Sequence, residues 1–226
     1  MAKKIEKKEL NEPDRLQLLF LEARTFVATH RKRIYAGAGG LVLILLLISG
    51  WHLYGLHYEK NAGKVYSKIF ENARKAGSAP GDQEEAAIKG YRELIAQYPR
   101  SQAAVIARYR LGGLHLDRRQ FDEAIAAYRD FLDASPAGSD LVPLAHNALG
   151  VCHEAKQDFQ SALQSFENAM KKDTSSSFEA LNYTSMARIY EAMKDTEKAV
   201  EFYKKALGKT SDPLTTLYLK RKASLL

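Results

Sequence analysis

The sequence holds a single cysteine, Cys152, among its 226 residues. An intrachain disulfide is therefore excluded, and so is any metal centre built on several thiolates. One thiol fits a reducing compartment, and it fits equally an oxidising one in which the domain needs no disulfide. Proline is sparse, at six residues, and no segment sustains an alternation of apolar and polar side chains. Strands are thus not expected, and from Tyr58 onward the periodicity is helical. The chain also lacks a glycine-rich phosphate loop and an HExxH helix, so those signals for nucleotide and zinc chemistry are missing.

Charge is missing from one long stretch. Between Arg33 and Glu59 there is no Asp, Glu, Lys or Arg, and Leu41 to Ile48 is an unbroken aliphatic run. Residues 34–56, as a helix of roughly 34 Å, would cross ~30 Å of hydrocarbon with some tilt. Arg31, Lys32 and Arg33 abut one end, while Trp51, Tyr54 and Tyr58 crowd the other like an interfacial aromatic belt. A membrane span is the expectation, with its basic flank cytoplasmic and residues 57–226 on the outer face. The apolar run begins after 33 residues and no small-x-small cleavage site follows it. An uncleaved anchor is therefore expected rather than a signal peptide. No cysteine is placed for lipidation.

The net charge of +7 does not point to nucleic acid. Residues 1–33 carry nine Lys/Arg and five Asp/Glu, so more than half of the excess sits beside the span. Later charges mix both signs, as a solvated helical surface does. Within residues 1–33 a pattern starts at Pro13 and Asp14: Leu16, Leu19, Phe20, Ala23 and Val27 recur at helical spacing, widened by Leu18, Leu21 and Phe26. This juxtamembrane helix could lie in the headgroup layer or against a partner, or simply extend the span into the cytoplasm.

Aligned with itself, the remainder repeats. RLGGLHLDRRQFDEAIAAYRDFLDASP stands above ALGVCHEAKQDFQSALQSFENAMKKDTS and MARIYEAMKDTEKAVEFYKKALGKTS. Ala87, Ala124, Ala162 and Ala199 fall into register at separations of 37, 38 and 37 residues. This pattern resembles the tetratricopeptide repeat, a pair of antiparallel helices with small residues where they cross. The match rests on Leu111, Gly112, Phe121, Ala124, Tyr128 and Pro136, then on Leu149, Gly150, Phe159, Ala162, Phe166 and Ala169. A further unit keeps Tyr183, Tyr190, Ala199, Tyr203 and Ala206, with Ala187 in the place of glycine, and the first keeps Ala87, Tyr91 and Pro99. The implied fold is all-α: a single transmembrane helix, then an α-solenoid of about four helix pairs. A capping helix is expected from Pro213, with Leu214, Leu217, Tyr218, Ala223 and Leu225 available to cover the last pair.

No catalytic constellation emerges, and neither enzymatic activity nor a cofactor is expected. His115 and His153 occupy equivalent places, with His146 on the same helix face as His153, but no acidic partner accompanies them at zinc-site spacing. They read as packing residues, and Cys152 as a small one. Gly37, Gly39 and Gly40 lie within the span, where small residues suit helix contact. The resemblance implies instead a groove lined by the first helix of each pair. Its residues here are Ile106, Tyr109, Arg110, Gly113 and Leu116, then Asn147, Val151 and Glu154, then Leu181, Thr184, Arg188 and Glu191. The family's charged clamp for a terminal carboxylate needs Lys and Asn where this chain has Tyr109 and Gly113, so that mode is not expected.

A basic tail, one span, four repeats and a cap together resemble the YfgM-like family of bitopic inner-membrane proteins, ancillary to the SecYEG translocon. The resemblance implies a chaperone adaptor whose partners are translocon subunits, a periplasmic chaperone or exported polypeptides, besides membrane lipid. Neither nucleic acid nor a small-molecule substrate is implied. The alternative from sequence is an assembly factor for another envelope complex, serving secretion or polysaccharide export.

Overall fold

The computed structural model describes residues 15–76, 80–136, 138–172 and 178–226. Pro13 and Asp14, expected to open the first helix, lie outside these residues, as does Ala137 of the linker PAGSDLVP. Nine α-helices are found among the described residues, and no strand. They are α1 (Arg15–Ala76), α2 (Pro80–Gln97), α3 (Gln102–Asp117), α4 (Phe121–Ala134), α5 (Leu141–Ala155), α6 (Phe159–Lys172), α7 (Glu179–Ala192), α8 (Thr196–Leu207) and α9 (Pro213–Leu225). The chain divides into two compact units, Met1–His57 and Tyr58–Leu226.

In the first unit, α1 is broken once, at His30 (φ −107°, ψ 15°). The hydroxyl of Thr29 donates to the carbonyl of Thr25 at 2.8 Å just before the break. Such back-bonding competes with the helical ladder and bends helices. The His30 ring stacks on Phe26 with centroids 4.6 Å apart. Beyond it the helix contains one window of mean hydropathy 2.0, long and apolar enough to cross a membrane, and none of that window is buried.

The second unit is built from antiparallel pairs whose spacing depends on missing side chains. A Cβ at Gly112 of α3 would lie 2.8 Å from the Tyr128 ring of α4, and one at Gly150 of α5 would lie 2.7 Å from the Phe166 ring of α6. These aromatics follow Ala124 and Ala162 by one helical turn, and both alanines are buried. In the third such pair, α7 and α8, Ala187, Ala199 and Tyr203 are buried likewise. The leading pair departs from this. There the C-terminal part of α1 packs on α2 through Ala62, Ile69, Tyr91 and Leu94, and the small residue has moved to the second helix, with Gly90 against Ile69.

Between the two helices of each full pair the chain turns through one left-handed residue: Arg119 (φ 57°), Gln157 (φ 62°) and Lys194 (φ 63°). The next amide reaches back five residues, from Gln120 to His115, Asp158 to His153 and Asp195 to Tyr190, at 2.8, 2.9 and 2.9 Å. This Schellman closure satisfies carbonyls left free at the helix end. Glu59 of α1 accepts from the amide of Gln102 at 3.1 Å, tying the leading helix to the start of α3.

The cap starts at Pro213, where the Asp212 carboxylate accepts from the amide of Thr215 at 2.7 Å. The residues it buries differ from those expected. Leu219 is fully buried against Tyr203, Ala206 and Ala187, with Ala223 beside it. Of the expected set only Ala223 packs; Leu214, Leu217, Tyr218 and Leu225 are exposed. Leu219 and Ala223 are four residues apart on the stripe that meets α8, and the other apolar stripe faces away.

Two adjacent glycines make the crossing testable. Gly112→Ala is expected to overpack against Tyr128 and cost about 1–3 kcal/mol. At Gly113 an added Cβ would meet only the Tyr128 hydroxyl, at 3.7 Å. Gly113→Ala is therefore expected to gain roughly 0.5–1 kcal/mol of helix propensity. Urea midpoints that move in the same direction for both would reject this geometry.

Candidate functional site

The face of the leading helices α3, α5 and α7 carries the twelve residues expected to line a groove, and the structure treats them differently along the array. In α3, Tyr109 is half-buried, its ring edge-on to Tyr128 at 5.7 Å and to Phe131 at 5.4 Å. Burial pushes its hydroxyl pKa above the ordinary tyrosine value. Leu116 is half-buried against the same core cluster, Ile106 and Gly113 are half-buried, and Arg110 is exposed. The expectation that Tyr109 and Arg110 form one freely accessible anchor pair is corrected here: the Tyr109 ring is committed to its own repeat.

In α5 and α7 the expected residues meet one another across the repeat boundary. Arg188 grips the Glu154 carboxylate through Nε at 3.2 Å and Nη2 at 3.0 Å. Asn147 Nδ2 donates to Oδ1 of the fully buried Asn182. Glu191 accepts from Lys222 Nζ at 2.8 Å and from the Tyr203 hydroxyl at 2.8 Å. Lys222 and Tyr203 hold its carboxyl below the usual range. Thr184 donates to its own helix, to the Ala180 carbonyl at 2.7 Å. Val151 and Leu181 stand exposed between these pairs at 36% and 51%.

Sequence reasoning missed Asn182, Tyr203 and Lys222. A signal was available. Glu84 and Arg118, Asp122 and Lys156, and Glu154 and Arg188 are each 34 residues apart and each ion-paired. Opposite charges separated by about one repeat are neighbours in a stacked array, as i and i+4 are in a helix. A part-exposed pair of this kind contributes roughly 1 kcal/mol or less, so the row aligns neighbouring repeats more than it stabilises them.

The histidines are used internally. His115 Nδ1 lies 2.6 Å from Gln120 Oε1, and His153 Nδ1 lies 3.3 Å from Asp158 Oδ2. Both bonds close the turn that follows their helix. Tyr190, their equivalent, packs on Phe202 at 5.2 Å instead. Burial pushes the Cys152 thiol up to about 11, so it stays protonated and inert. Among the described residues no group of three or more His, Cys, Asp or Glu is arranged to hold a metal ion.

Residues 24–223 match the family described as "Tetratricopeptide repeat-like domain". A crystal structure of MamA protein is 20% identical, with 72% of this chain and 85% of that chain covered and a TM-score of 0.55. MamA 41-end from Desulfovibrio magneticus RS-1 is 15% identical, with 73% and 88% covered and a TM-score of 0.55. A further crystal structure of MamA, 19% identical, covers 66% and 83% at a TM-score of 0.53. At these identities the likeness concerns the fold. No curated protein sequence matches the chain.

Two histidines give the array a pH dependence. Burial, with Lys172 adding to it, lowers the pKa of His146, and burial lowers that of His153 despite Asp158, with Arg129 and Lys156 adding to the fall. The unfolded chain, with histidines near 6.5, then binds protons first as pH falls. Stability from these groups is complete above about pH 6.5 and is lost between that value and the lower folded pKa values. Urea midpoints at pH 7.5 and 5.5 should fall for the parent. The fall should be smaller for His146→Gln and His153→Gln; an unchanged slope would reject the assignment.

Proposed function

Because the chain belongs to the tetratricopeptide repeat-like family, we propose that it is a membrane-anchored scaffold whose leading-helix face binds proteins at the outer face of the bacterial inner membrane. The observation that carries the anchor is the exposure of the apolar stretch. Leu41 through Leu47 stand 53–67% exposed, with no protein surface of their own to cover them. Side chains of this kind, over this length, match hydrocarbon. The family match begins at residue 24, upstream of that stretch, so the apolar segment and the repeats belong to one matched unit.

The domain reading follows: residues 1–33 form a basic cytoplasmic segment with a short juxtamembrane helix, 34–56 the span and 57–226 the binding domain on the other side. The binding face comprises Ile106, Tyr109, Arg110 and Leu116 at one end, Asn147, Val151 and Glu154 centrally, and Thr184, Arg188 and Glu191 towards the cap. Tetratricopeptide repeat domains bind proteins. The resemblance to the YfgM-like family supports translocon subunits, a periplasmic chaperone or exporting polypeptides as partners, and a role ancillary to the Sec translocon. The ion-paired, mostly polar floor with single apolar projections suits a partner read by a few anchors rather than by a continuous apolar seam.

Two measurements test this. Protease added to spheroplasts should digest the repeats and spare an N-terminal epitope; the reverse result sinks the orientation and the export role. For the face itself, Val151→Asp combined with Leu181→Asp should weaken partner binding at least thirty-fold, about 2 kcal/mol, with an unchanged melting temperature. Tyr109→Ala should instead lower the melting temperature. A photoreactive residue at Arg110 reports the partner: adducts with translocon-associated proteins support the reading, and adducts with a different envelope complex favour the assembly-factor alternative.

A further inference from the structure

The cap helix α9 carries two apolar stripes on opposite sides. One, Leu219 with Ala223, is used against α8. The other consists of Leu214, Leu217, Tyr218 and Leu225, which stand 78%, 68%, 43% and 71% exposed, with Arg221 among them. The terminal element of a stacked array needs a polar outer face for solubility. This one presents three leucines and a tyrosine over three turns.

The register excludes the simplest occupant, a further repeat helix. Lys222 pairs with Glu191 as Arg188 pairs with Glu154, one repeat earlier. Arg188 directly follows Ala187, the small residue of the crossing, so the crossing position in α9 is Arg221. A long charged side chain there prevents the close approach that Gly112 and Gly150 allow. Whatever covers the stripe must lie against it at ordinary helix-pair distance, about 8–10 Å.

We propose that the occupant is a second copy of this chain, whose α9 packs antiparallel on the first across a twofold axis. The stripe is complementary to itself about its own midpoint. An axis passing α9 between Leu219 and Lys220 places Leu214 on Leu225 of the second copy. The same axis lays the Arg221 side chain over the Tyr218 ring of the second copy, and the reciprocal contacts repeat by symmetry. A guanidinium on an aromatic face is an attractive contact that also removes the like-charge problem of pairing two basic helices. The neighbouring Lys222 is already neutralised by Glu191. No Asp or Glu lies between Pro213 and Leu226, so apolar and cation–aromatic contacts, not salt bridges, hold the pair. The residues involved amount to an interface on the order of 1,000 Å² in total, at the lower edge for a specific dimer. Co-confinement in one membrane would raise the effective concentration of such a weak pair.

Cysteine crosslinking of the full chain in detergent micelles tests this, because Cys152 is fully buried and does not compete. Positions 214 and 225 are about 16 Å apart within one helix, whereas a disulfide needs Cα atoms closer than ~7 Å. Under mild oxidation, Leu214→Cys and Leu225→Cys proteins should each remain uncrosslinked alone and give a covalent dimer when mixed. Leu217→Glu, at an exposed position, should reduce that dimer at least tenfold with an unchanged melting temperature. Crosslinking of either single variant as efficient as that of the mixture would overturn the antiparallel pairing. No dimer in the mixture, or a dimer indifferent to Leu217→Glu, would overturn the interface altogether.

Discussion

Where α3 crosses α4, the ring of Tyr128 occupies the space that a methyl group on Gly112 would need, and Phe166 does the same over Gly150. The remainder of the array depends on this contact. Close approach sets the distance between the two helices of a pair, and the aromatic ring then reaches the core that the pair shares with its neighbour. Tyr128 and Phe131 belong to one cluster with Ala145, Leu149 and Cys152 of the following helix. Phe166 belongs to one with Met186 and Ile189 of the helix after that. One small residue per repeat thus fixes both the pair and its stacking, because a packed interior tolerates neither a void nor an extra methyl.

Given that stacking, polar side chains about one repeat apart in sequence are brought within hydrogen-bond reach. The ion pairs from Glu84 to Arg118, Asp122 to Lys156 and Glu154 to Arg188 follow from the array's geometry and do not create it. Their effect on function is to occupy charges that would otherwise face a ligand. The leading-helix face is therefore less charged in practice than its composition implies, and exposed apolar residues such as Val151 and Leu181 gain weight as contact points. The turn histidines serve the same architecture: His115 and His153 close the turns after α3 and α5 through Gln120 and Asp158.

Two surfaces leave apolar side chains without protein cover, and they differ in kind. The stretch from Leu41 to Ile48 is apolar on all sides of its helix, which suits a solvent of hydrocarbon. The stripe on α9 is apolar on one side and interrupted by Arg221, which suits another helix. A single chain thus presents one surface matched to a lipid phase and one matched to a protein of limited area.

Residues of the sequence alone determined the helical class, the repeat and its register, because helix periodicity and the recurrence of alanine, glycine and aromatic residues are local or strictly periodic properties. They also located the uncharged stretch and the start of the cap at Pro213. Tertiary structure alone decided which of two apolar stripes on α9 is buried, since both have helical spacing and only contact with Tyr203 and Ala206 selects Leu219. It alone showed that the leading pair moves its small residue to Gly90, because that shift comes from how α1 is set against α2. And it alone decided that Tyr109 is half inside while Glu154, Arg188 and Glu191 are already partnered. A position on a helix face states the direction of a side chain, but its availability depends on what the next repeat brings to meet it.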